Sequence, residues 1–510
     1  MKKNNAFRRA AALIAALSIT VSLAAPAFAD TYYIDYGDIT ITKNEDGSQT
    51  IEQGGDKWTD KAGEETVITT SNTVITTLES DLEGPAAEDS DFGPVVEDNY
   101  QPAQPEDAEK PEGADQPEIA VEPKSADRQE SADQQAVPAA APAGATPVNK
   151  KDDGFWGNTI TVINNIADKV LNLTLKDVKI DVSDTGDQYD WDQKGKAALS
   201  VQGKGNVEIE LDGDNELKSG TQSAGLEKTS TGTLTLKDDN KEAGSLTATG
   251  GFNSAGIGGG YLGDGKNITI TGGTVTATGG SSGAGIGGGR EGKGENITIT
   301  GGTVNVTGGY GGGAGIGGGA EGGGGNNITI KGGTVNATGG GNRGNSGAGI
   351  GGGSSGSGEN ITINDGKVTA TGGSYAAGIG GGSVGAWGGD AGSGKNITIN
   401  GGTVNATGTD GGAGIGGGEN GNGEDITING GKVNASGAYG GAGIGGGVNG
   451  IGSKVTVSGA AQVTATATGS GPDWSGVGTG ATIGNGGSKT PDGPVDGKEI
   501  QADISHLTTG

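Results

Sequence analysis

The sequence predicts an all-β chain, wound for most of its length as a right-handed parallel β-helix of about eight to twelve coils. Three observations predict it. Glycine supplies 113 of 510 residues, while aromatics are 4% and apolar residues 31%, too little oil for a globular core of this length. The isoleucine of "GIG" recurs at Ile257, Ile286, Ile316, Ile350, Ile379, Ile415 and Ile444, most often 29 residues apart. Within each unit the apolar residues alternate in short groups, as in "ITITGGTVTATGGSSGAGIGGG" at 268–289, the period of strands.

The N-terminus is a targeting segment. Lys2, Lys3, Arg8 and Arg9 precede an apolar run from Ala10 to Ala25, and "AFAD" puts small residues Ala27 and Ala29 at a cleavage site. Residues 1–29 therefore read as a secretory signal peptide, and the protein as secreted, free or held at the cell surface. No later apolar run has spanning length, so no membrane insertion is expected after cleavage. The chain has no cysteine, which excludes disulfides and thiolate metal sites. A net charge of −29 argues against nucleic acid and anionic lipid as partners. A monomer is expected. The chain stops at "ISHLTTG" with no Leu-Pro-x-Thr-Gly signal, which suggests a fragment.

Residues 30–78 read as a short β segment, an N-terminal cap or a separate piece, with strands at 39–42, 49–53 and 66–77. Residues 79–150 hold ten of the fourteen prolines and eighteen acidic against four basic residues, the composition of a disordered, self-repelling linker. From 151 to 253 come short strands such as "TITVI", "AALSVQG", "NVEIELDG" and "SLTATGG". The glycine-rich repeats fill 254–487, and 488–510 is a tail.

Each repeat carries three strand-like pieces, "ITI", "TVTA" and "AGIG". Alternation turns Ile268, Ile270, Val275, Ala277, Ala284 and Ile286 inward, and Thr269, Thr276, Gly285 and Gly287 outward. Glycines between the pieces serve corners of positive φ. One coil buries only about three large aliphatic side chains at roughly 2 kcal/mol each, too little to order itself. A stack can fold because each coil borrows its core from its neighbours. The column Asn267, Asn296, Asn327, Asn360, Asn396 and Asp425 fits a left-handed corner with amides bonded from coil to coil. A nine-residue calcium β-roll is disfavoured by the 29-residue period. Insertions enter at two places only, between "TGG" and "AGIG" and after "GIGGG".

Catalysis finds little support. The one histidine is His506, and no carboxylate pair recurs at a fixed spacing. Recognition finds more. The loops before "AGIG" carry Phe252, Tyr310, Tyr375, Tyr439 and Trp474, largely on alternate coils. Two coil steps are about 9.6 Å, the scale of a disaccharide, and exposed rings on a rigid edge stack on sugar faces. A second cluster, Asp181, Asp184, Asp187, Asp190 and Asp192, has the crowding that attracts Ca2+, without the order of an EF-hand loop; a solvated acidic turn is the favoured explanation. The threonine column from Thr269 to Thr427 could order water, although cross-strand pairing accounts for it.

The series "LTLKDVKI", "AALSVQGKGNVEIELDGDNELKSG", "SAGLEK", "GTLTLKD", "SLTATGG" and "SAGIGGG", followed by the glycine-rich array, resembles the secreted bacterial carbohydrate-binding β-helix domains related in fold to pectate lyases. That resemblance covers about 340 residues from Leu171 onward. It implies binding of plant cell-wall polysaccharide or another glycan, with calcium involved and without catalysis. The resulting expectation is a non-catalytic polysaccharide-binding protein. A stalk or adhesin with no glycan site of its own is the alternative, and a polysaccharide-lyase-like enzyme is the second alternative.

Overall fold

A computed structural model describes residues 30–70, 146–190, 192–342, 344–384, 390–469 and 476–508, all within one compact unit. The signal peptide and residues 79–145 of the expected linker lie outside the described residues.

The isoleucines of "ITI" and the valines of "TVT" cannot be satisfied within one repeat, and the chain stacks them. Strands such as Gly265–Ile270, Gly294–Ile299 and Gly325–Ile330 form one face, and Thr274–Thr278, Thr303–Thr307 and Thr334–Thr338 a second. Ile257–Gly258, Ile286–Gly287 and Ile316–Gly317 form the third. All pair in parallel with like against like: Ile268 on Ile297 on Ile328, Val275 on Val304 on Val335, and Ile286 on Ile316 on Ile350. These side chains are fully buried. This is a parallel β-helix. Among the described residues the only helical segment is the 3-10 turn Ile34–Tyr36.

Asn206–Lys218 runs through both of the first two faces, bending at Gly213. Those faces therefore join in one 21-stranded sheet, while the third is a 14-stranded sheet of its own. Residues 30–70 belong to the same helix. Thr66–Thr69 pairs in parallel with Val170–Lys176, and Ile39–Lys43 with Ile160–Asn164. Gln49–Gln53 and Asp56–Asp60 then fold back antiparallel, ending the third face in a hairpin. Of the 66–77 strand only Thr66–Thr69 is described as strand; 71–77 lie outside the described residues.

The third face differs from expectation. It is no extended "AGIG" strand but a tight turn, because the Ala284 amide donates to the Gly288 carbonyl at 2.9 Å and leaves a strand of two residues. Gly285 and Gly287 point away from the core yet are buried. The reason for glycine also shifts from φ to close approach. Gly287 has φ 138°, but a Cβ there would also stand 1.9 Å from the Gly317 carbonyl oxygen. Gly294 has no positive φ, and only proximity to Gly317 forbids it a side chain.

The asparagine column keeps the predicted corner, and its amides bond along the column from coil to coil except at Asn360, which donates to Asn326 Oδ1 at 2.8 Å rather than to Asn327. Asn267, Asn296, Asn327, Asn360 and Asn396 all have φ of 54–56°. Asn296 Nδ2 donates to Asn267 Oδ1 at 2.9 Å, and Asn327 Nδ2 to Asn296 Oδ1 at 3.2 Å. Where asparagine gives way, Lys454 pairs with Asp425 at 3.2 Å. Further ladders, Asn336 to Asn305 and Asn434 to Asn405, line the second face.

Candidate functional site

The tight third-face turn has a geometric consequence. It brings the loop before each "AGIG" beside the loop that follows "GIGGG" one rung above. The Arg290 amide donates to the Asn253 carbonyl at 2.9 Å, Ala320 to Ser282 at 2.8 Å, Glu419 to Tyr375 at 2.8 Å and Val448 to Gly411 at 2.8 Å. The two insertion points are thus neighbours on one surface. The repeats vary there in length and side chain, while the other two faces stay a near-uniform grid of threonine and asparagine.

The aromatic residues lie on this loop face. Rung order follows Ile257, Ile286, Ile316, Ile350, Ile379, Ile415 and Ile444, each paired with the next. Phe252, Tyr310, Tyr375 and Tyr439 belong to the first, third, fifth and seventh of these. Tyr310 is 70% exposed, and the other three are half-buried. Trp474 lies outside the described residues. Tyr375 and Tyr439 hold φ of 68° and 45°, a left-handed corner that costs a side chain about 1–2 kcal/mol. Tyr375 also bridges rungs. A Cβ at Gly344 would lie 4.0 Å from its Cδ2, and one at Gly411 4.0 Å from its Cδ1.

Sequence reasoning missed Tyr189. Its loop, 183–197, hangs beneath the next one, with Gly220 donating to Lys196 at 2.8 Å and Thr221 to Thr185 at 3.0 Å. Leu199, which follows, pairs with Leu226, and Leu226 with Ile257. The loop of Tyr189, which is 84% exposed in the turn that the Asp187 amide closes on the Gln193 carbonyl at 3.0 Å, therefore lies two rungs below that of Phe252. Its place before "AALS", the counterpart of "AGIG", was the available signal. Leu262 and Ile451, both more than half exposed, sit in the adjoining loop column and were missed as well.

The charges of this face are largely compensated. Arg290 Nη2 contacts Glu321 Oε2 at 2.5 Å, and Lys266 bridges Asp264 at 2.8 Å and Glu295 at 3.1 Å. Glu419, beside Tyr375, has its carboxyl pushed above the ordinary range by burial.

The five aspartates do not converge. Asp181 is buried, accepts from the Ser183 amide and hydroxyl at 2.9 and 2.6 Å, and pairs with Lys151 and Lys218 at 3.5 and 3.9 Å. Burial opposes its charge, but those partners outweigh burial and hold its pKa below the usual value. Asp184 pairs with Lys151 at 3.2 Å. Asp187 caps the Tyr189 amide and Asp190 the Asp192 amide, at 2.8 and 3.1 Å. Four of the five carboxylates, those of Asp181, Asp184, Asp187 and Asp190, thus close their own turns or meet a lysine. Among the described residues no three carboxylate or imidazole side chains gather as a metal cage.

One titratable cluster lies elsewhere, in the first coil. Asp60 is fully buried and accepts from the Tyr32 hydroxyl at 2.6 Å and the Thr66 hydroxyl at 2.5 Å. Gln49 donates to Thr66 Oγ1 at 2.6 Å, and Trp58 packs on Tyr32 at 5.7 Å between centroids. Burial pushes the Asp60 carboxyl up to about 6, though the two hydroxyls pull it down.

A family model described as a beta helix repeat matches seven stretches, 242–261, 268–290, 297–320, 328–354, 361–383, 397–419 and 426–448. The chain is a β-helix repeat protein. Each matched stretch of this β-helix repeat protein ends at the loop face, where its rungs diverge. No curated protein and no solved structure matches the chain. Among the described residues no helix is long and apolar enough to cross a membrane.

Proposed function

We propose that this β-helix repeat protein is a non-catalytic polysaccharide-binding protein, secreted or held at the cell surface, and that the loop face is its binding surface. One observation carries the reading: aromatic side chains return on every second rung of the one face where the repeats differ. Evenly spaced rings on a stiff scaffold suit sugar rings, whose apolar faces stack while hydroxyls find polar neighbours. The left-handed backbone at Tyr375 and Tyr439 supports it, because strained corners that would suit glycine carry tyrosine instead. Secretion rests on the leader-like residues 1–29.

The test is retention on an immobilised panel of neutral and acidic polysaccharides, with and without a chelator. Wild-type protein is expected to be retained by at least one polysaccharide. The combined change Tyr310→Ala, Tyr375→Ala and Tyr439→Ala should lower retention tenfold or more, at about 1 kcal/mol per ring, and leave the circular dichroism melt unchanged. Unaltered retention would discard the aromatic edge. The unbroken in-register ladders of the other two faces favour a second reading, a stiff stalk. Absence of retention on every polysaccharide would leave that reading standing.

A further inference from the structure

We infer that the loop face holds a single linear glycan lengthwise, parallel to the helix axis, with Tyr189 as its first station. The inference rests on the polysaccharide-binding reading and adds the direction of the ligand, its minimum length and a residue outside the repeat array.

The geometry argues against a chain lying across the face. Phe252 has Tyr261 in the adjoining loop of its rung, but among the described residues the rungs of Tyr310, Tyr375 and Tyr439 offer one ring each, so a glycan crossing them would meet a single station. Along the axis the stations repeat: Tyr189, Phe252, Tyr310, Tyr375 and Tyr439, each two rungs above the last. Rungs stack about 4.8 Å apart, so the five stations span about 38 Å. The rungs between carry Ser281, Asn345 and Asp410 at the equivalent loops, half-buried hydrogen-bonding side chains rather than rings, while Gln222 of the lowest of these rungs is buried. Ring and polar group alternate as stacking and hydroxyl contacts would along an extended chain. The backbone beneath is fixed, since loop follows loop through hydrogen bonds such as Gly309 to Gly283 and Gly340 to Gly313, at 2.8 and 2.9 Å. The stations are preorganised, and a second station engaged by the same chain costs little further ordering.

The recognised class is accordingly an extended, linear polysaccharide read over several sugars, not a mono- or disaccharide end group. Affinity should climb with chain length until every station is covered.

The experiment titrates the full chain with linear β-1,4-glucan, β-1,4-xylan and α-1,4-galacturonan oligomers, from dimers to decamers. In whichever series binds, each added station should tighten binding about three- to tenfold, with a plateau only near the longest members. Tyr189→Ala should lower the plateau for long oligomers and leave tetramer binding unchanged, because shorter chains can occupy the remaining stations. Tyr310→Ala should cost long oligomers more than Tyr189→Ala does, since it interrupts the middle of the row. Tetramers binding as tightly as decamers, or Tyr189→Ala leaving decamer binding unchanged, would overturn the lengthwise placement while the polysaccharide reading survives. Failure of every oligomer and every parent polymer to bind would overturn both.

Discussion

Replacing Gly294 by alanine probes the contact that makes these repeats so rich in glycine. The residue has no positive φ, so backbone preference does not oppose a side chain. The added Cβ would stand 2.3 Å from the carbonyl oxygen of Gly317, 2.5 Å from its carbon and 2.6 Å from its Cα. Ordinary contact lies near 3.4 Å or beyond, so one backbone must move by about 1 Å. Gly317 cannot yield freely, because its carbonyl accepts from the Gly288 amide at 3.0 Å and the Ile316–Gly317 strand pairs with the next rung. Overpacking of this kind costs about 1–3 kcal/mol, and a strained hydrogen bond adds about 1 kcal/mol. The smaller entropy of the unfolded alanine chain returns about 0.4–1 kcal/mol. Gly294→Ala should therefore destabilise by about 2–3 kcal/mol. Gly157→Ala is the control, since the nearest atoms there are Cβ and O of Asn149 at 3.4 Å, ordinary contact. It should fall within about 0.5 kcal/mol of wild type. Guanidinium unfolding followed by circular dichroism reads both. Equal midpoints for the two variants would refute the argument that proximity, not φ, selects glycine at that column.

Three further outcomes follow from the same structure. Asp60, at about 6 when folded against 3.8 for a free carboxyl, holds a proton that the unfolded chain has released between those values. Its contribution to stability is full below about pH 4 and is lost as pH rises through about 6, an effect of roughly 3 kcal/mol. Protection factors of residues 30–69, corrected for the pH dependence of intrinsic exchange, should be higher at pH 5 than at pH 7.5, and Asp60→Asn should remove most of that difference. At the corner ladder, Asn327→Gly should lose only the amide bond, about 0.5–1 kcal/mol, whereas Asn327→Val adds the left-handed penalty and should cost about 2 kcal/mol or more. Equal melts for those two would remove the conformational argument. Ile316→Ala empties a fully buried site on the third face and should cost about 2–5 kcal/mol by denaturant titration.

Much of the scaffold was legible because it is local arithmetic. The period, the inward isoleucines and valines, and the asparagine corner follow from alternation and from which residues tolerate positive φ. What escaped depends on pairs of distant residues. The fold-back of Ala284 onto Gly288 has no periodic signature, and with it went the character of the third face. That turn also makes neighbours of the two insertion points, which the sequence shows only as separate loops. Tyr189 escaped because its loop is long and acidic, and its aspartates suggested a cation before its ring suggested a station. The structure turns four of those aspartates to Ser183, Lys151, Lys218 and nearby amides, and the two lysines lie some thirty or more residues away in sequence, partners that composition does not reveal. The attachment of residues 30–70 was open for a similar reason: the segment that separates them from Ile160–Asn164 conceals the parallel pairing.

The central claim is that rung sits on rung in register, so that loops far apart in sequence form one ruled surface. The chain lacks cysteine, so labels can be placed at will. Spin labels at Thr269→Cys and Thr456→Cys would stand on one outward column, six paired strands apart, through Thr298, Thr329, Thr362, Thr398 and Thr427. The stack predicts a narrow distance distribution centred near 29 Å, before allowance for the label arms. A broad distribution, or a sharp one centred far from that value, would contradict it.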